Sequence, residues 1–156
     1  MMKRFTKSMS GVTLLEIMLV LAIAAMIIVM SVRYYQSANA SQQATAALGQ
    51  LQAITAAADG LAQGSGSYVT GNVSSATVGP LLPGGPQGGL MTPWGTTIDI
   101  SASAPDKYTV AIPTVPYSVC PLLYAKLAAN PHIGTSVTAC GGAGATNMNY
   151  TYTANP

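Results

Sequence analysis

The sequence predicts an α+β fold: a long N-terminal α-helix packed on a small antiparallel β-sheet, with one disulfide. Three observations predict it. From Val12 to Leu48 there is neither Gly nor Pro, so nothing interrupts a helix. Between residues 97 and 153 three short runs alternate apolar and polar side chains, the period of half-buried strands. Two cysteines, Cys120 and Cys140, lie in that same half of the chain.

The helix has two parts. Residues 12–32 carry a single charge, Glu16, in 21 positions. That is long enough for a bilayer, which needs about 20 residues. Residues 33–61 are amphipathic. Leu48, Leu51, Ile54, Ala58 and Leu61 recur every three or four positions and form one stripe. Gln43, Thr45, Gln50 and Gln52 occupy the other face. Gly60 and the Gly/Ser-rich run 63–67 are expected to end the helix. Arg33, Tyr34 and Tyr35 follow the apolar part, where they suit either a membrane interface or packing between helices.

Residues 64–95 are rich in Gly, Ser, Thr and Pro and nearly free of charge. They read as an ordered coil on the surface of the domain. No GxxxxGK phosphate loop occurs in them. Ile98 and Ile100 then alternate with polar neighbours, as do Tyr108, Val110 and Ile112, and Met148, Tyr150 and Tyr152. Residues 103–106 form the turn between the first two strands. Residues 121–129 predict a short helix: Pro121 suits its first turn, Leu123, Tyr124 and Leu127 share a face, and Asn130-Pro131 stops it.

Composition excludes several function classes. Charged residues make up 6% of the chain, against about 25% in an average domain. The net charge of +2 comes from Lys3, Arg4 and Lys7; without residues 1–11 the balance is three basic against four acidic side chains. Such a chain has no basic face for specific nucleic-acid binding. One histidine, His132, cannot build a multi-histidine metal centre, and it reads as a surface loop residue. Glu16, Asp59, Asp99 and Asp106 are too scattered for a calcium cage or a paired-carboxylate hydrolase. No Gly-x-Ser-x-Gly elbow and no CxxC pair occur. Trp94, beside Pro93, reads as an anchor in the core or at a sheet edge. We therefore expect no enzyme, no metal and no cofactor.

Three cations precede the apolar stretch and Arg33 alone follows it directly, which places the N-terminus in the cytoplasm and residues after 33 outside. In an oxidising compartment the two cysteines read as one bond; the alternative is two buried thiols. Three readings of the N-terminus compete. A secretory signal could be cut after Ala38-Asn39-Ala40, but the apolar run exceeds the usual 7–15 residues or so. A plain anchor leaves Glu16 at a cost of about 2.5–3.5 kcal/mol in hydrocarbon. A cut after Gly11 frees the amine of Val12 about one helical turn from Glu16, and pairing the two charges offsets part of the desolvation of each.

Gly11-Val12-Thr13-Leu14-Leu15-Glu16, behind a short basic leader and ahead of an apolar helix, resembles the class III signal of type IV pilins and pseudopilins. The first mature residue would be Val12 rather than Phe, and no Pro precedes Pro80; both features resemble the type IVb group. Thr92-Pro93-Trp94-Gly95, with Val115-Pro116 and Cys120, is similar to the globular domain of conjugative-type pilins.

The resemblance implies a leader over 1–11, a transmembrane and filament-core half-helix over 12–32, an amphipathic half over 33–61 and a globular domain over 62–156. It implies that prepilin peptidase cuts between Gly11 and Val12 and methylates the Val12 amine, and that Glu16 serves assembly. The implied partners are further copies of the chain in a helical homopolymer, the prepilin peptidase, and the assembly platform with its ATPase. The implied route runs from the inner membrane to an extracellular pilus. A pseudopilin of a type II secretion system is the alternative, although no carboxylate follows Asp106 to build its calcium loop. A membrane-anchored periplasmic enzyme is the third reading, disfavoured by composition.

Overall fold

A computed structural model describes residues 13–133, 136–142 and 144–155. The cleavage and methylation positions, Gly11 and Val12, lie outside the described residues. The chain divides into two compact units, Met1–Ser37 and Ala38–Pro156.

Helix α1 is Leu14–Ser65, 52 residues. In the first unit every described side chain from 13 to 37 is exposed. An 18-residue window has mean hydropathy 2.7 and no buried residue, so α1 is long and apolar enough to cross a membrane. In the second unit α1 turns amphipathic. Leu51, Ile54 and Ala58 are buried, as the stripe predicts, while Leu48 and Leu61 are half-buried at its margins. Ala40, Ala44 and Ala47 extend the same face.

Gly60 does not end the helix. A right-handed Gly costs only about 1 kcal/mol relative to Ala, and the turns beyond it continue to Ser65. The stop falls at Gly66, whose φ of +83° is a left-handed value that favours glycine. Its N–H still reaches the Ala62 carbonyl at 2.7 Å.

The sheet has three strands: β1 is Asp99–Ala104, β2 is Lys107–Val115 and β3 is Thr146–Thr153. All pairings are antiparallel, in the order β1-β2-β3. Register lines up the inward residues across the sheet. Ile100 pairs with Val110 and Val110 with Tyr150; Tyr108 lies between Ala102 and Tyr152; Ile112 faces Met148. These side chains and the buried face of α1 belong to one core cluster. Each large apolar side chain so buried contributes about 1.5–3 kcal/mol before entropy is counted.

Strand β2 is central yet contains Pro113, which cannot donate to a ladder. The register shifts between Ile112 and Val115, and Thr114 takes φ +55° with its N–H on Asn147 Oδ1 at 2.9 Å. The bulge lets both Ile112 and Val115 point into the core. The Pro113 carbonyl accepts hydrogen bonds from Trp94 Nε1 (3.2 Å) and Thr96 Oγ1 (3.0 Å), so Trp94 is an anchor at the bulge.

Residues 64–95 are more than a surface coil. They hold short helical turns at Ser75–Val78 (α2), Gly79–Leu81 and Gly85–Gly88 (α3), and Tyr68, Val73, Val78, Leu82 and Leu90 are buried. Gln50, on the polar face of α1, donates Nε2 to the Gly89 and Met91 carbonyls at 2.6 and 2.9 Å and ties this segment down. Helix α4 is Cys120–Ala128. Its buried face is Cys120, Leu123 and Leu127; Tyr124, expected on that face, is exposed. Cys120 and Cys140 are bonded, with Cα atoms 5.9 Å apart and a sequence separation of 20.

Candidate functional site

At the start of α1, Thr13 sits just before the first helical residue. Its Oγ1 accepts the Glu16 N–H at 3.3 Å, and its carbonyl accepts the N–H groups of Glu16 and Ile17. The Glu16 N–H is thus shared between the carbonyl and the side-chain oxygen of Thr13, a local cap on the helix start. Glu16 is the only acid in the first turn, where the helix dipole favours a negative charge. The carboxylate is exposed, as are Leu14 (75%), Leu15 (74%) and Met18 (65%) around it. Thus the acid expected to serve assembly stands at a capped helix start on an uncovered apolar surface.

A second cluster of polar groups lies in the globular unit, and the sequence reading missed it. Asp59, near the end of α1, accepts the Tyr68 hydroxyl on Oδ1 at 2.6 Å. The Tyr68 ring meets Tyr108 edge-on at 5.0 Å, Tyr108 stacks on Tyr152 at 5.0 Å, and Tyr152 stacks on His132 at 5.2 Å. His132 is therefore not a simple surface residue. It is half-buried, and its Nδ1 lies 2.9 Å from the Thr153 carbonyl. A carbonyl can only accept, so Nδ1 carries the proton in that contact. A lone His after a Pro gives no periodic signal, which is why its burial was not foreseen.

Burial pushes Tyr68, Tyr108 and Tyr152 of this cluster, and Tyr150 beside it in the core, above the ordinary phenol value. For Tyr68 the hydrogen bond to Asp59 and the charge of that carboxylate add to the rise. Tyr152 is raised by burial and then by Asp59. Tyr108 and Tyr150 are raised chiefly by burial. Neither hydroxyl has a hydrogen-bond partner among the described residues. Thr55 offsets a little of the rise at Tyr108, but its own hydroxyl donates to the Leu51 carbonyl at 3.0 Å and it forms no well-aligned bond to the phenol.

Two clefts flank the cluster. One, of about 470 Å³, is bordered by Asp59, Tyr68, Asp106 and Tyr152. The other, of about 440 Å³, lies among α1, the end of α4 and β3, and shares Asp59 and Tyr152 with the first. Among the described residues no group of three or more His, Cys, Asp or Glu could hold a metal ion. Cys120 and Cys140 are consumed by their bond, and no described cysteine is free for chemistry.

No protein-family model, no curated protein and no solved structure matches the chain.

Proposed function

We propose that this chain is the major structural subunit of a type IV pilus of the type IVb kind. The observation that carries the reading is Glu16. It is the fifth residue of a chain cut after Gly11, and it stands at the head of a helix whose apolar residues are uncovered. An exposed apolar surface of this extent needs a bilayer or other copies of itself. A filament supplies the second after the first is left. The small sheet on the second part of the helix and the Cys120–Cys140 bond are of the kind the resemblance implies.

In this reading the prepilin rests in the inner membrane, and prepilin peptidase removes residues 1–11 and methylates Val12. The assembly platform and its ATPase then lift the subunit into the filament. Glu16 pairs there with the Val12 amine of a neighbouring copy. The pairing acts as a check, because an uncut chain has no amine at that position.

Intact-mass and N-terminal peptide analysis of the protein from its producing cell tests the reading. The expected mature chain begins at Val12 with a methylated amine, and electron microscopy shows filaments containing it. A chain that begins at Ser41, or that keeps Met1, overturns the proposal.

A further inference from the structure

Strand β3 lies at one edge of the sheet, so alternate residues turn their N–H and C=O groups away from β2. Those of Asn149, Thr151 and Thr153 are all taken. Thr153 donates its N–H to the His132 carbonyl at 2.9 Å, and its own carbonyl faces His132 Nδ1. Thr151 donates to Ser136 Oγ at 3.0 Å, and Ser136 Oγ reaches the Thr151 carbonyl at 2.9 Å. Asn149 donates to Thr138 Oγ1 at 3.3 Å and accepts the Thr138 N–H at 2.9 Å.

These partners rise in number as β3 is followed backwards, the order of an antiparallel neighbour. Yet Ser136 and Thr138 use hydroxyls where a fourth strand would use peptide groups, since a hydroxyl both donates and accepts. The one hydrogen of Ser136 Oγ is shared between the Ile133 and Thr151 carbonyls, so this link is weaker than a peptide pair. Two features hold residues 136–140 in place: Val137 is buried, and Cys140 is bonded to the fully buried Cys120. Strand β3 has no protection of its own. Thr146–Thr153 contains neither the charge nor the proline that commonly blunts an edge, and its Thr and Tyr residues favour strands.

Uncovered, this edge is complementary to itself. A two-fold axis at Thr151 sets Thr151 opposite Thr151 and Asn149 opposite Thr153, and each pair exchanges two hydrogen bonds. We infer that residues 136–140 guard a strand-pairing surface, and that reduction of Cys120–Cys140 lets β3 pair with β3 of a second copy. The reductant is a dithiol. One of its thiolates attacks a cystine sulfur to give a mixed disulfide, and the other displaces the bound cysteine. The dithiol leaves as its own disulfide, and two electrons and two protons pass to Cys120 and Cys140. The surface lies within the globular unit and does not rest on the filament reading.

The test is amide hydrogen exchange by NMR and photo-crosslinking, both on the full chain in micelles. In the oxidised Ser136→Ala/Thr138→Val variant, the Asn149 and Thr151 amides should exchange at least tenfold faster than in the wild type. Thr153, whose acceptor is a backbone carbonyl, should keep its rate. Ser136 and Thr138 are exposed, so the variant should fold. Unchanged Asn149 and Thr151 rates overturn the guard. A photoreactive benzoylphenylalanine in place of the exposed Asn149 should, after dithiothreitol, crosslink to the 146–153 peptide of a second chain, and at least fivefold less when oxidised. Crosslinks that map elsewhere, including to α1, or that ignore the redox state overturn the pairing. So does loss of amide protection between β1 and β2 on reduction, because the bond would then hold the core and not the guard.

Discussion

The Tyr68 hydroxyl donates to Asp59 Oδ1 at 2.6 Å, and this bond fastens the segment after α1 back onto its last turns. Gly66, with its left-handed φ, reverses the chain between the two residues. The Tyr68 N–H also reaches the Pro105 carbonyl at 3.0 Å, in the turn between β1 and β2. One residue thereby links the helix end to the hairpin.

A hydrogen bond to a charged acceptor contributes about 1.5–3 kcal/mol. Asp59 is half-buried, so the lower part of that range applies. Tyr68→Phe and Asp59→Ala should each destabilise the globular unit by about 1–2 kcal/mol in urea unfolding of the detergent-solubilised chain. Because they remove the same contact, the double variant should cost less than the two singles added together. Full additivity would show that the contact contributes nothing of its own.

Tyr150→Phe should act in the opposite direction. Its hydroxyl is buried without a partner among the described residues, and removing an unsatisfied group relieves about 1 kcal/mol. The gain should grow at alkaline pH. An unfolded chain releases the phenolic proton near the ordinary value of 10.0, whereas the folded chain holds it because burial raises the folded value. Stability is therefore whole below pH 10 and falls as pH climbs through and beyond it, by up to about 1.4 kcal/mol per pH unit for each such tyrosine. Unfolding midpoints at pH 8 and pH 11 for the wild type and Tyr150→Phe test both parts. A variant that is less stable at pH 8, or that loses as much stability between the two pH values, would contradict them.

Cys120→Ser should be the most damaging of the single changes. Closing a loop of about 20 residues stabilises by roughly 3 kcal/mol on the loop-entropy model. Cys120 is also fully buried against the core, so a hydroxyl there meets an apolar wall. Reduced recovery of folded protein is expected. Thiol labelling of the denatured, unreduced wild type should find no reactive cysteine.

On the pilus proposal, Glu16→Ala should leave the protein cleaved, inserted and folded, since the side chain is exposed and the Thr13 cap remains. Filament yield should fall sharply, measured by shearing and sedimentation. Wild-type yield would remove Glu16 from the assembly step.

The strands were legible because Tyr108, Val110 and Ile112, and then Met148, Tyr150 and Tyr152, alternate with polar residues over a full run. Ala40, Ala44 and Ala47 were not. Alanine carries a weak hydrophobic signal, and its burial reflects close approach of the backbone more than its own transfer energy. Gly60 misled because a glycine inside a helix and one after its end look alike in sequence; only the backbone angle at Gly66 separates them. The Gly11–Glu16 motif could be named from the sequence because its residues are contiguous; of its positions, Gly11 and Val12 lie outside the described residues. The cleft beside β3 was invisible for the opposite reason: Asp59, Lys126 and Tyr150 come from distant parts of the chain, and only the fold brings them to one opening.

The spacing of the strands along the chain has a consequence for the order of folding. Pro105 and Asp106 alone separate β1 from β2, so that hairpin closes a very short loop. Between Val115 and Thr146 lie α4 and both cysteines. Pairing β3 with β2 must therefore close a long loop, which is the slower kind of event. Met148 and Tyr150, which complete the core, arrive with β3. The buried face of α1 consequently stays open to water or chaperones until residues 146–153 have joined the sheet. Early oxidation of the cysteines shortens the effective loop. An oxidant present while the chain folds should therefore speed the completion of the domain.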